Sequence, residues 1–269
     1  MNKKKSRFIA GILIIILAFG TVSCGNKTPE KKPDNAASAQ EPPAELNMIK
    51  EELMEIGIML EKRRNIRTGA GESASPEESK ASSSETTKGE SSSATQEWKK
   101  EMDKVRSLHR HWNGLEPKAV AKGLSAIVQA NLEESLGNLT ASVENRQPLP
   151  AELAANQVFR NYIEVAHRFK TEIPSDLERV RYHVTESRLQ SIMGSWDKAE
   201  EEARQSLEIW QRLAYSLEKI QRTELNQMEH SLTDLVGAVQ KKSSILTEIK
   251  SEIALDNLEQ LEKKIKASL

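Results

Sequence analysis

Apolar residues fall along this chain in blocks, and the spacing inside each block predicts which elements it forms. Phe8 to Phe19 is a nearly unbroken apolar run, interrupted only by Gly11. It is too short for a comfortable bilayer span, which needs about 20 residues. From Leu46 the pattern becomes periodic: Leu46, Ile49, Leu53, Ile56 and Leu60 recur at steps of three and four, which places them on one face of a helix over residues 45–66. Met48, Met54, Ile58 and Met59 widen that face, and Lys62, Arg63 and Arg64 suit the negative end of the helix dipole. Residues 24–44 hold four prolines and no apolar run, which predicts a tether. Residues 67–95 are rich in serine and carry no apolar side chain larger than alanine. They cannot bury enough surface to offset their ordering entropy, so a disordered linker is predicted, with a reach on the order of 30 Å.

Beyond residue 23, every aromatic residue lies after that linker, from Trp98 to Tyr215. That asymmetry marks residues 96–269 as the folded domain, long enough to bury a core without disulfides or metal. Helix formers dominate it and β-branched runs are scarce, so the fold class is all-α, a multi-helix antiparallel bundle. Gly114 with Pro117, Pro148 with Pro150, and Pro174 are expected to end successive helices. Ser195 is a candidate N-cap for a fresh helix at Trp196.

The domain also reads as a duplication. Trp98 and Trp112 are fourteen residues apart, as are Trp196 and Trp210, so each pair shares a helix face. Leu132-Glu133-Glu134-Ser135-Leu136 parallels Met228-Glu229-His230-Ser231-Leu232, and Val143 matches Val239 at the same offset. The stripe Leu149, Leu153, Phe159, Tyr162, Val165 and Phe169 continues as Ile245, Ile249, Leu255, Leu258, Leu261 and Ile265. Two Leu-rich helical stretches align passably by chance; the tryptophan spacing and the Glu-x-Ser-Leu match favour repetition. The expectation is two three-helix units, 98–173 and 196–269, joined by a connecting helix over residues 175–193.

The amino terminus carries a second message. Lys3, Lys4, Lys5 and Arg7 precede the apolar run, and small residues lead into Cys24, the one cysteine of the chain. This is the layout of an export signal over residues 1–23. Thr21-Val22-Ser23-Cys24-Gly25 resembles the lipobox of bacterial lipoproteins, although Thr21 stands where that family usually has Leu. The resemblance implies cleavage after Ser23, lipid on the Cys24 sulfur, and an extracytoplasmic protein anchored to the cell membrane. An ordinary secretory signal or an uncleaved anchor is the alternative. A lone cysteine also excludes an internal disulfide framework. Trp196-x-x-Ala199, Trp210, Leu217, the run Glu224 to Leu235, and Leu246-x-Glu248-Ile249 are similar to a helical family of unknown function from Firmicutes. Asn226 departs from that pattern, which favours Asp, and the likeness lends architecture but no activity.

Composition narrows the partners. Without its first 23 residues the chain keeps 40 acidic against 35 basic side chains, a net charge of about −5. Nucleic-acid binding rests on net positive surface, so it is not expected. Glu164 and His167 share a helix face, but a di-iron bundle needs two such pairs and two further glutamates. Lys263 stands at the duplicate position of His167. His109 and His111 are two apart and diverge on a helix. Glu200-Glu201-Glu202 falls near a helix start, where negative charge is favoured without any catalytic role. No phosphate-cradling Gly loop, zinc spacing or nucleophile elbow occurs, and neither an enzyme nor a cofactor is expected. The function expected is a binding or scaffolding module of the cell envelope, held to the membrane by lipid on Cys24 and meeting an envelope protein. The alternative is a small-molecule or peptide receptor with a pocket between helices. For Trp196 and Trp210, core packing is the first reading and a candidate binding surface the second.

Overall fold

The computed structural model describes residues 42–68, 90–217 and 220–268. Among them are eight helices and no strand: α1 (Ala44–Thr68), α2 (Glu90–Ala121), α3 (Ala126–Glu144), α4 (Pro148–Ala166), α5 (Ser175–Ile192), α6 (Trp196–Ala214), α7 (Arg222–Gln240) and α8 (Ser244–Ser268). The expected all-α bundle architecture is present. The signal segment, Cys24, most of the tether and linker residues 69–89 lie outside the described residues.

Each helix packs on the next, and α1 closes on α4 as α5 closes on α8. The result is two four-helix bundles, α1–α4 and α5–α8, each around its own apolar core. The repeated arrangement therefore spans four helices rather than three. Leu46, Ile49, Leu53 and Ile56 of α1 and Leu177, Val180, Val184 and Ser187 of α5 are buried at the same spacing. Both helices open alike: Leu46 N–H donates to the Pro43 carbonyl and Leu177 N–H to the Pro174 carbonyl, each at 3.0 Å. In α2 and α6 the buried Val105, Leu108, Trp112 and Leu115 match Ala203, Ser206, Trp210 and Leu213. In α3 and α7 even a side-chain bond repeats: the hydroxyls of Ser135 and Ser231 donate to the carbonyls of Leu132 and Met228, both at 2.8 Å.

The turn after each of these helices repeats too. Arg146 and Lys242 both adopt the left-handed conformation, with φ of 54° and 51°. Their N–H groups donate to Val143 and Val239 at 3.0 and 2.8 Å, satisfying carbonyls that the helix end leaves open. Non-glycine residues rarely sit there, because Cβ approaches the following carbonyl.

Several expectations need correction. The segment over 175–193 is not a connector; α5 is the counterpart of α1 and opens the second repeat. The helix expected at 45–66 is no separate membrane-near element, since its apolar face fills the first core; the folded unit therefore begins well before residue 96. α1 and α2 also run past the predicted linker boundaries, to Thr68 and back to Glu90. Extending a helix already nucleated by packing fixes one more residue per added bond, a small cost. Pro117 does not end its helix: α2 continues to Ala121 through both Gly114 and Pro117. One absent N–H so near the carboxyl end breaks little of the ladder. Ser195 occupies the N-cap position of α6 but makes no side-chain capping bond. The stripe assigned to the start of α8 is out of phase: Ile245 and Ile249 face solvent, while Thr247, Ser251 and Ala254 face the core. The offset of 96 was right; residue size misled, because the buried counterparts of Ala151, Ala155 and Val158 are themselves small.

Candidate functional site

Of the residues singled out from sequence, Cys24 lies outside the described residues. Trp210 is 1 % exposed in the core of the second bundle, and Trp196 is half-buried against the same core. Trp210 therefore offers no surface to a partner, which corrects the binding-surface reading for that residue. Its ring fills the space between α6 and its neighbours as Trp112 does in the first bundle.

The candidate metal ligands are engaged separately. Glu164 pairs with Arg179 at 3.2 Å, and His167 Nδ1 meets the Ser175 hydroxyl at 3.3 Å. His109 Nε2 meets the Thr140 hydroxyl at 2.9 Å, and His111 Nδ1 lies 3.2 Å from Glu52. Among the described residues no three such side chains gather as a metal site would require. Glu200 accepts from Arg204 at 2.6 Å and from Gln240 at 3.0 Å, and Glu202 meets His183 at 2.5 Å.

What the sequence did not reveal is the seam between the bundles. Equivalent helices meet there, α1 and α4 from one repeat and α5 and α8 from the other, and charged side chains are buried between them. Lys50 of α1 pairs with Glu178 of α5 and, at 3.1 Å, with Glu262 of α8. Arg181, the repeat equivalent of Lys50, donates to the same Glu262 at 2.6 Å. At the other end Arg64 lies 3.0 Å from Glu152 and 2.9 Å from Glu248, again two equivalent positions. Arg188 of α5 donates to Glu61 of α1 at 2.6 Å, and Asn156 of α4 donates to Glu186 of α5 at 2.7 Å. Buried pairs of this kind add little net stability against apolar packing, because desolvation offsets their attraction. Here they link helices from both repeats at defined positions.

A cleft of about 270 Å³ opens along this seam. Leu53, Phe159, Leu189 and Leu255 line it with apolar surface; Met54, Gly57 and Ile58 of α1 form one side, and Glu252, Asp256 and Glu259 of α8 another. Glu152 and Arg188 also line it. The Glu152 side chain is 3 % exposed. One of its oxygens accepts from Arg64, while Oε2 has no hydrogen-bond partner among the described residues. Burial pushes its carboxyl up to about 7, against the pull of Arg64 and Arg188. A neighbouring cleft of about 370 Å³ shares Met54 and Glu259 and is lined by Lys50, Glu178 and Glu262. Burial raises Glu178 above the usual carboxylate range despite Lys50. Burial acts on Glu262 in the same direction, but Arg181 and Lys50 together outweigh it and hold that carboxyl low.

No protein-family model, curated protein or solved structure matches this chain. Gly57 is a glycine inside a helix with apolar positions at steps of three and four, as Gly137 and Gly237 are in α3 and α7, but it alone of the three lines the cleft. Such a glycine costs about 0.5–1 kcal/mol relative to alanine. A Cβ built on it would meet nothing within 4 Å, so close packing does not require it. What it does is leave the α1 side of the cleft open.

Proposed function

We propose that this protein is a lipid-anchored, extracytoplasmic binding module that engages a partner at the seam between its two helical repeats. The single observation that carries the binding part is the cleft itself: apolar surface, polar walls and the missing side chain at Gly57. Concave sites of mixed character are where proteins fix ligands, apolar contact supplying affinity and a few polar groups supplying orientation. The anchoring part rests on the lipobox-like stretch ending at Cys24. Among the described residues no helix is long and apolar enough to cross a membrane.

The alternative to this reading is a small-molecule receptor. Pockets that enclose whole ligands usually run from about 300 to about 1,000 Å³. The seam cleft, at about 270 Å³, falls just below that range and its neighbour, at about 370 Å³, inside it, so the capture experiment rather than volume separates the two readings. A photo-crosslinking residue at Ile58, on the cleft, is expected to capture one defined protein in live cells. The same residue at exposed Ile127 of α3, which does not line the cleft, is expected not to. Equal capture from both positions, or from neither, removes the binding-module reading. Anchoring is tested separately: Cys24→Ala is expected to block processing and membrane retention, and normal behaviour of that variant refutes the anchor.

A further inference from the structure

We infer that the seam cleft takes a cationic, amphipathic peptide segment, an apolar side chain flanked by Lys or Arg. This rests on the binding-module reading and names the chemistry of the partner. The charges along the cleft are not balanced. Arg188 is held by Glu61, and Arg181 by Glu262. Glu259 pairs with Lys263 at 2.7 Å. Glu252 and Asp256 make no ion pair or hydrogen bond among the described residues, yet both line the cleft. They stand four apart on α8, where like charges on one helix face repel each other. Both are exposed, so solvent screens that repulsion in the free protein, and both remain available to a cation brought by a partner.

Two further observations point the same way. The Oε2 acceptor of Glu152, deeply buried and lining the cleft, lacks a donor, which an ammonium or guanidinium group supplies, while the buried Nε donors of Arg181 and Arg188 lack acceptors, which the carbonyl groups of a peptide backbone supply. Gly57 leaves room on the facing side for an apolar side chain to reach Leu53, Phe159 and Leu255. The repeats sharpen the point. The residue of α5 equivalent to Gly57 is Arg188, which fills its own side of the seam and is tied to Glu61. The cleft thus carries two internal cations, Arg181 and Arg188, each tied to a carboxylate of the chain, and open space at Gly57 for a side chain supplied by a partner.

The test uses the full-length chain in phosphatidylcholine nanodiscs, with empty nanodiscs as the blank. A fluorescein-labelled peptide alternating Lys and Leu is titrated by anisotropy, beside a peptide alternating Glu and Leu and with spermine as competitor. The Lys–Leu peptide is expected to bind and the Glu–Leu peptide is not. The double variant Glu252→Gln, Asp256→Asn is expected to weaken binding about tenfold, as the loss of two exposed charge contacts allows. Gly57→Leu, which closes the cleft from α1, is expected to abolish binding while its circular-dichroism melt stays at or above that of the parent. Equal affinity for both peptides, unchanged affinity in either variant, or displacement by spermine as effective as by unlabelled peptide overturns the inference. If no peptide binds while crosslinking from Ile58 still captures a protein, the binding-module reading survives and the cationic class alone is refuted.

Discussion

Trp210 and Trp196 sit fourteen residues apart on one helix face, yet they differ in what removing them costs. Trp210 is enclosed, so Trp210→Ala opens a cavity and loses its transfer energy, about 3–5 kcal/mol. Half-buried Trp196 is expected to lose about half as much on the same substitution. Urea titrations followed by circular dichroism check the order; similar midpoints for both variants contradict the packing described here. Glu152 makes a different prediction. Its folded carboxyl is raised to about 7, so between the ordinary carboxylate range and that value the folded state holds a proton that the unfolded state releases. Its contribution to stability is therefore complete at low pH and lost as pH rises through about 7. Lowering the pH from about 8 to about 6 is thus expected to raise the melting temperature, and Glu152→Gln is expected to flatten that rise. An equal change in melting temperature for the parent and the variant over that interval counts against a buried, partly protonated Glu152.

Among the elements, the repeated turns are the most exposed to a simple trial. Arg146 and Lys242 hold left-handed backbone that glycine adopts without penalty. Arg146→Gly and Lys242→Gly are each expected to stabilise the fold by up to about 1 kcal/mol, because relief of Cβ strain outweighs the extra unfolded-state entropy. Loss of stability in either variant means that the side chain matters more than its backbone. The helices themselves were legible because apolar steps of three and four survive in α1–α4, α6 and α7. The phase of α8 was not, since its inward face is built from Thr247, Ser251 and Ala254 while Ile245 and Ile249 face out. Nor was the role of α5. Its inward positions, Leu177, Val180, Val184 and Ser187, end in serine, and it is rich in charge because its other faces line the seam. The match to α1 is at an offset of 131, against 98 for the tryptophans, because the linker of the first repeat is replaced by the tight turn at Gly194 in the second.

At the scale of the whole molecule, the seam was illegible for a physical reason: its residues come from four helices, and only the closure of both bundles brings Lys50, Glu178, Arg181 and Glu262 together. Charge runs on amphipathic helices read as solvated faces until a second copy of the same face covers them. The pairing also changes what a chain cut means. α1 buries five large apolar side chains, roughly 10 kcal/mol of transfer energy, and holds four of the ion pairs that cross the seam. Cleavage anywhere between residues 69 and 89 is therefore expected to leave α1 and the rest co-eluting on gel filtration under native conditions, and separating only in denaturant. Release of a free α1 fragment without denaturant refutes its place in the first core. With Cys24 held in a bilayer as proposed, α1 also becomes the link through which tension enters the body. A tug on the membrane end reaches Leu46 first and then Lys50 and Ile58, so the anchor and the cleft are mechanically in series. A load that shifts α1 falls on the first core and, through Lys50 and Arg64, directly on α5 and α8.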